Sequence, residues 1–109
     1  MPVLLLTTTG RRSGKARTTP LLYLREGDAI VVVGSNGGSD YTPAWWLNLQ
    51  SDPHAEVEIG RVRTPVTARQ ASPDERVRLW ARFTSGYPGY AKYANRTARA
   101  IPVVLLEPR

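Results

Sequence analysis

Residues 7–17 read TTTGRRSGKAR, which holds four cations, two glycines and no acid. Glycines let backbone amides approach an anion, and guanidinium forks take phosphate or carboxylate two bonds at a time. Arg11, Arg12, Lys15 and Arg17 therefore form a candidate anion site; the same composition also suits a solvated basic hairpin tip. It is not a nucleotide-binding P-loop. Three residues separate Gly10 from Gly14 where that motif needs four, and Ala16 follows Lys15 where it needs Ser or Thr.

Three further groups have the right types and spacing for ligand chemistry. Ser35-Asn36-Gly37-Gly38 follows an apolar run and offers short polar groups on a backbone that a ligand can approach closely. An ordinary strand-to-helix turn has the same composition. Trp45-Trp46 are adjacent, so on a helix their rings diverge by about 100°, letting one face the core and the other a cleft. Tyr87, Tyr90 and Tyr93 recur every three residues, which stripes their phenols along one helical face. Such a stripe is either a packing edge with wetted hydroxyls or a wall for a flat, partly polar substrate.

These groups need elements to hold them. Val3 to Thr9, Thr18 to Leu24, Ala29 to Val33, Ala55 to Ile59, Val62 to Arg69 and Ile101 to Leu106 read as strands. AIVVV has no polar partner residue and should be covered on both faces. Pro65 argues that its strand is an edge or carries a bulge. Thr42-Pro43 is expected to start a short helix, with Thr42 as its cap, that ends at Asp52-Pro53. Ser72-Pro73-Asp74-Glu75 is a capping box, and Val77, Trp80, Ala81 and Thr84 are expected to be the buried face of the helix it opens. A second helical stretch should run from Pro88 to Arg99. The expectation is a mainly β (α+β) split barrel of about six antiparallel strands, with a short central helix and a C-terminal helical pair.

At 109 residues the chain suits one domain, 1–109, with a core of its own. It has no cysteine, which excludes disulfides, thiolate metal sites and cysteine nucleophiles. A single histidine, His54, cannot build a multi-His centre, so no metal is expected. The net charge of +6 calls for an anionic partner. Nucleic acid is not expected, because no aromatic is interleaved with Arg11 to Arg17. MPVLLL has no basic n-region and too short an apolar stretch for a signal peptide, so a cytoplasmic location is expected.

LLLTTTGRRSGKARTTPLLYL, VVVGSNGGSDYTPAWWLNLQSDP and YPGYAKYANRTARAIPVVLLEP resemble the actinobacterial deazaflavin-dependent nitroreductase family over nearly the whole chain. The resemblance implies a flavin-reductase-like split β-barrel that passes hydride from reduced coenzyme F420 to a flat acceptor such as a quinone or nitro-heterocycle. It implies that Arg12 and Arg17, helped by Arg11 and Lys15, hold the anionic cofactor tail. The ring would lie against Ser35, Asn36, Gly37, Gly38, Ala44 and Trp45. Leu22, Tyr87, Tyr90 and Tyr93 would meet the substrate, with Ser35, Tyr90 and Tyr93 donating to its developing oxyanion. Family members usually begin with a helical segment that this sequence lacks, and Leu22 and Asn36 stand where a Tyr and a Lys are common. A monomer, at most in peripheral contact with the inner face of the membrane, is expected. The alternatives on the same fold are an FMN enzyme or a haem-binding barrel.

Overall fold

The computed structural model describes residues 2–35, 41–90, 92 and 101–109. Its strands are β1 (Val3–Thr9), β2 (Ala16–Leu22), β3 (Leu24–Glu26), β4 (Ala29–Val33), β5 (His54–Ile59), β6 (Val62–Gln70) and β7 (Val103–Pro108). Two helices, α1 (Ala44–Ser51) and α2 (Pro73–Gly86), are inserted between them. The strands form one antiparallel sheet in the order β2-β1-β5-β6-β7-β4-β3.

That order forces the sheet to roll up. In six steps of about 4.8 Å, a flat sheet would hold β2 and β3 about 29 Å apart. Only Tyr23 separates them in the chain, and one intervening residue spans no more than about 7 Å. The two ends of the sheet must therefore meet at Tyr23. The expected single strand from Thr18 to Leu24 is instead two, broken at the residue where the chain passes from one sheet edge to the other.

Rolling divides the apolar residues by their alternation. Ile30 and Val32 of β4 and Val104 and Leu106 of β7 point inward, with Leu4, Leu6, Val57 and Val66. Ala29, Val31, Val33, Val103 and Leu105 point outward beneath α2. All five residues of β4 are buried for this reason, although the strand lies second from the sheet's end. Helix α1 plugs one end of the barrel, and Trp45, Trp46 and Leu49 close its core.

Pro65 is consistent with an internal strand. β6 pairs with β5 along Val62–Thr67 and with β7 from Val66 onward. On the β7 side the Pro65 carbonyl still accepts from the Arg109 N–H at 3.0 Å, and the N–H that proline lacks falls at the end of that ladder, where it costs no interior rung. The capping box forms as expected: Ser72 accepts from the Glu75 N–H, and the Glu75 carboxylate accepts from the Ser72 N–H. Arg69 holds both Glu75 oxygens, at 2.7 and 2.9 Å. This hydrogen bond, with that of the Ser72 amide, lowers the Glu75 carboxyl to about 2.

Two expectations about the helices are corrected. Thr42 does not cap α1: Pro43 occupies the N-cap without a side-chain bond, and its carbonyl accepts from Trp46 and Leu47. In α2, Val77 is 74% exposed, whereas Leu79 and Phe83 are fully buried. The buried stripe runs Leu79, Phe83, Tyr87 at a spacing of four, because those are the large side chains that reach β4 and β7. Of the second helical stretch, Gly89, Tyr90 and Lys92 are helical, and most of the rest lies outside the described residues.

Candidate functional site

The cavity at the α1 end of the barrel has a volume of about 630 Å³, within the size range of small-molecule sites. Its walls come from the β1–β2 turn, the face of β2, the end of β4 and the start of α1, with Tyr90 closing one side.

Strand β2 supplies a graded wall. Arg17, Thr19 and Leu21 pair with Thr8, Leu6 and Leu4, which are all buried. Directly opposed residues share a face, so these three β2 side chains point into the cavity in the order cation, hydroxyl, hydrocarbon. The Gly10 N–H donates to the Lys15 carbonyl at 2.8 Å. Alternating from that rung, the backbone groups of Thr18 and Pro20 face the free edge of β2, where proline's missing N–H costs no ladder bond.

The turn places Gly10, Arg11, Arg12 and Ser13 on the cavity wall. Gly14, at φ 71°, lets the chain reverse in a conformation that other residues resist. Arg12, Lys15 and Arg17 have no carboxylate partner among the described residues. No acid occurs among the described lining residues. The cavity therefore has a cationic mouth and, beyond it, an apolar wall of Leu21, Val33, Pro43 and Trp45.

Trp45 and Trp46 are both buried, with ring centroids 6.5 Å apart and planes at 68°. Both belong to the barrel core rather than dividing between core and cleft, and Trp45 stands at its rim, where it also lines the cavity. Ser35 is buried at the end of β4 and lines the same space, as does Ala44. Asn36, Gly37, Gly38 and Tyr93 lie outside the described residues.

Three expected site residues lie elsewhere. Lys15 sits on the exposed side of the turn, away from the cavity wall. Leu22 pairs with Val3 and packs against the core beneath α2, because it alternates to the opposite face from Leu21. Tyr87 is buried in that same core, and its hydroxyl donates to the Tyr23 carbonyl at 3.3 Å. Burial, and then the neighbouring Tyr23, push its phenol above the ordinary value, so it remains a donor at neutral pH. Tyr87 and Tyr90 pack with their ring centroids 6.1 Å apart, but they do not both face the cavity. Tyr90 alone of the described pair reaches the cavity, its ring 4.8 Å from Phe83.

Asn48 is the main lining residue that the sequence reasoning did not single out. It lies three residues after Trp45, on the same helical face, which is the signal that could have found it. It is almost fully buried and bonded to both Thr8 and Arg11. Among the described residues no His, Asp or Glu cluster could hold a metal, and no helix is long and apolar enough to cross a membrane.

The family model of F420H(2)-dependent quinone reductase matches residues 1–108. The F420H(2)-dependent quinone reductase Rv1261c of Mycobacterium tuberculosis is 41% identical over 111 residues, covering 99% of this chain and 74% of the relative. Rv3178 of the same organism is 41% identical over 109 residues, covering 100% of this chain and 92% of the relative. A solved F420-H2 dependent reductase, FDR-A, superposes with a TM-score of 0.88 at 38% identity, covering 97% of this chain and 94% of that one. A heme binding protein from Mycobacterium smegmatis, at TM-score 0.76 and 19% identity over 100% of this chain and 47% of that one, shares the fold alone.

Proposed function

The chain belongs to the F420H(2)-dependent quinone reductase family, and on that premise we propose that the α1-end cavity is where reduced coenzyme F420 meets a quinone. The observation that carries the assignment is the cavity's polarity: guanidinium groups at the mouth with no carboxylate partner among the described residues, and an apolar wall behind them. The coenzyme has an anionic phosphodiester–glutamate tail and a planar ring, so both ends find matching chemistry. When bound, it supplies a hydride to the acceptor.

The protein's own residues bind, orient and exclude water. Arg12 and Arg17, with Arg11 beside them, hold the tail through charge-assisted hydrogen bonds. Trp45, Ala44 and the Ser35 end of β4 fix the plane of the ring. Tyr90 lines the cavity, and on this reading a flat acceptor stacks beside it and takes a hydrogen bond from its phenol as negative charge develops on the quinone oxygen. Leu21, Val33 and Pro43 keep water from the reacting faces. No catalytic acid, base or nucleophile of the protein is needed beyond that donor. A monomer acting in the cytoplasm, drawing its acceptor from the inner face of the membrane, completes this reading.

The test is to mix the reduced coenzyme with the protein and a soluble quinone without oxygen, and to follow reappearance of the oxidised deazaflavin absorbance. Protein-dependent oxidation that requires the quinone supports the assignment. Equal turnover with reduced FMN in place of the deazaflavin, or none with either, overturns it. Replacing the quinone by a nitro-heterocycle then tests the width of acceptor specificity.

A further inference from the structure

The carboxamide of Asn48 joins three parts of the site that are distant in sequence. Its Oδ1 accepts from the backbone N–H of Arg11 at 3.1 Å and from the Arg11 guanidinium at 3.4 Å. Its Nδ2 donates to the Thr8 hydroxyl at 3.1 Å. Asn48 and Thr8 are 4% and 2% exposed, so these groups do not exchange their partners for bulk water.

The other hydrogen bonds of the turn are local. Gly10 donates to Lys15, Gly14 to the Gly10 carbonyl, and the Lys15 N–H to Ser13 Oγ. They determine the shape of the turn but not its aim. Among the described residues, Asn48 is the side chain that ties the turn to another element. It grips Thr8, the last inward residue of β1 before the reversal, and Arg11, three residues later.

We propose that Asn48 is a positioning residue for anion binding: it directs the Arg11–Arg12 segment of the turn at the cavity while leaving the positive charge there unneutralised. The inference rests on the reading of this turn as the coenzyme-tail site. A neutral amide suits both halves of the role. It accepts two bonds from Arg11, yet it adds no negative charge beside the guanidinium groups that an anionic tail must meet. An aspartate would accept the same bonds and could accept from the Thr8 hydroxyl, but it would compete with the ligand for Arg11.

The experiment measures dissociation constants of oxidised coenzyme F420 and of its tail-less ring fragment, 8-hydroxy-5-deazariboflavin, for the wild type and for Asn48→Asp, with melting temperatures alongside. The expected result is a folded variant whose preference for the tailed over the tail-less ligand falls about tenfold, the factor for one lost charge-assisted contact. A general distortion of the cavity would move both constants together and leave that preference unchanged, and that result overturns the proposal. If Asn48→Asp does not fold, Thr8→Val, which removes only the hydroxyl anchoring Nδ2, carries the test. A preference reduced about threefold supports the role, and an unchanged one refutes it. Arg12→Ala with Arg17→Ala separates the two levels of inference. If the double variant keeps the tail preference, the tail-site reading fails. If it loses the preference while Asn48→Asp keeps it, only the positioning role fails.

Discussion

Removing Arg12 and Arg17 together is the most direct perturbation of the site. Both guanidinium groups line the cavity mouth, and neither has a carboxylate partner among the described residues. Their loss therefore removes no ion pair among the described residues, and Arg12→Ala/Arg17→Ala should melt within a few degrees of the wild type. Each charge-assisted hydrogen bond to an anion contributes about 1.5–3 kcal/mol. Both side chains are exposed, which favours the lower figure, so two contacts amount to about 3 kcal/mol, or roughly a hundredfold in the dissociation constant. Raising salt should weaken wild-type binding and affect the double variant less, since screening acts on the contacts already removed. Lys15→Ala is the internal control. It removes the same unit charge from the same turn, but from a side chain off the cavity wall, and should change affinity less than threefold. Titration of coenzyme F420 by its fluorescence reads all three. Weakening by Lys15→Ala as large as that by Arg12→Ala would refute a specific tail site, because generic positive charge would then suffice. Wild-type affinity in the double variant would refute it equally.

The two described tyrosines of the stripe should separate in assay. Tyr87→Phe loses a buried hydrogen bond of about 1 kcal/mol and should melt roughly 4–8 °C lower, with deazaflavin affinity nearly unchanged; Tyr90→Phe should leave deazaflavin affinity nearly unchanged and lower quinone turnover roughly 10- to 100-fold. Phe83→Ala empties the fully buried centre of the α2 core and should cost about 3–5 kcal/mol in a denaturant titration. Glu75 has its folded pKa depressed to about 2, first by Arg69 and then by the Ser72 amide. Its contribution is complete above the unfolded carboxylate value near 4.5 and declines as pH falls from there toward 2. Arg69→Leu should therefore flatten acid unfolding in that window, and an unchanged acid midpoint would exclude the pair as a pH-linked contact.

Local signals carried much of this molecule. Ser72-Pro73-Asp74-Glu75 announces its helix because a capping box satisfies backbone donors within four residues, and it forms as read. The runs at Val3–Thr9 and Ala29–Val33 are strands as read, since β-branched and leucine-rich stretches between turns have few other uses. The basic turn with its two glycines was legible as a candidate anion site because cations without acids stand out along the chain.

What the sequence left open depended on which surfaces meet. Val77 and Leu79 are both apolar and both on α2; only the position of β4 and β7 decides that Leu79 is buried and Val77 exposed. Leu21 and Leu22 are adjacent and chemically alike, yet pleating turns one into the cavity and the other beneath α2, and the register with β1 sets which. Tyr87 and Tyr90 share a type and lie three residues apart, but Tyr87 is buried with its hydroxyl on the Tyr23 carbonyl, where the rolled sheet closes, and Tyr90 lines the cavity. Asn48 is an ordinary polar residue in a short helix until Thr8 and Arg11, 40 and 37 residues away, arrive at its carboxamide. Contacts of that range are absent from any local stretch of sequence, because they exist only after seven strands have rolled up and α1 has closed the barrel's end.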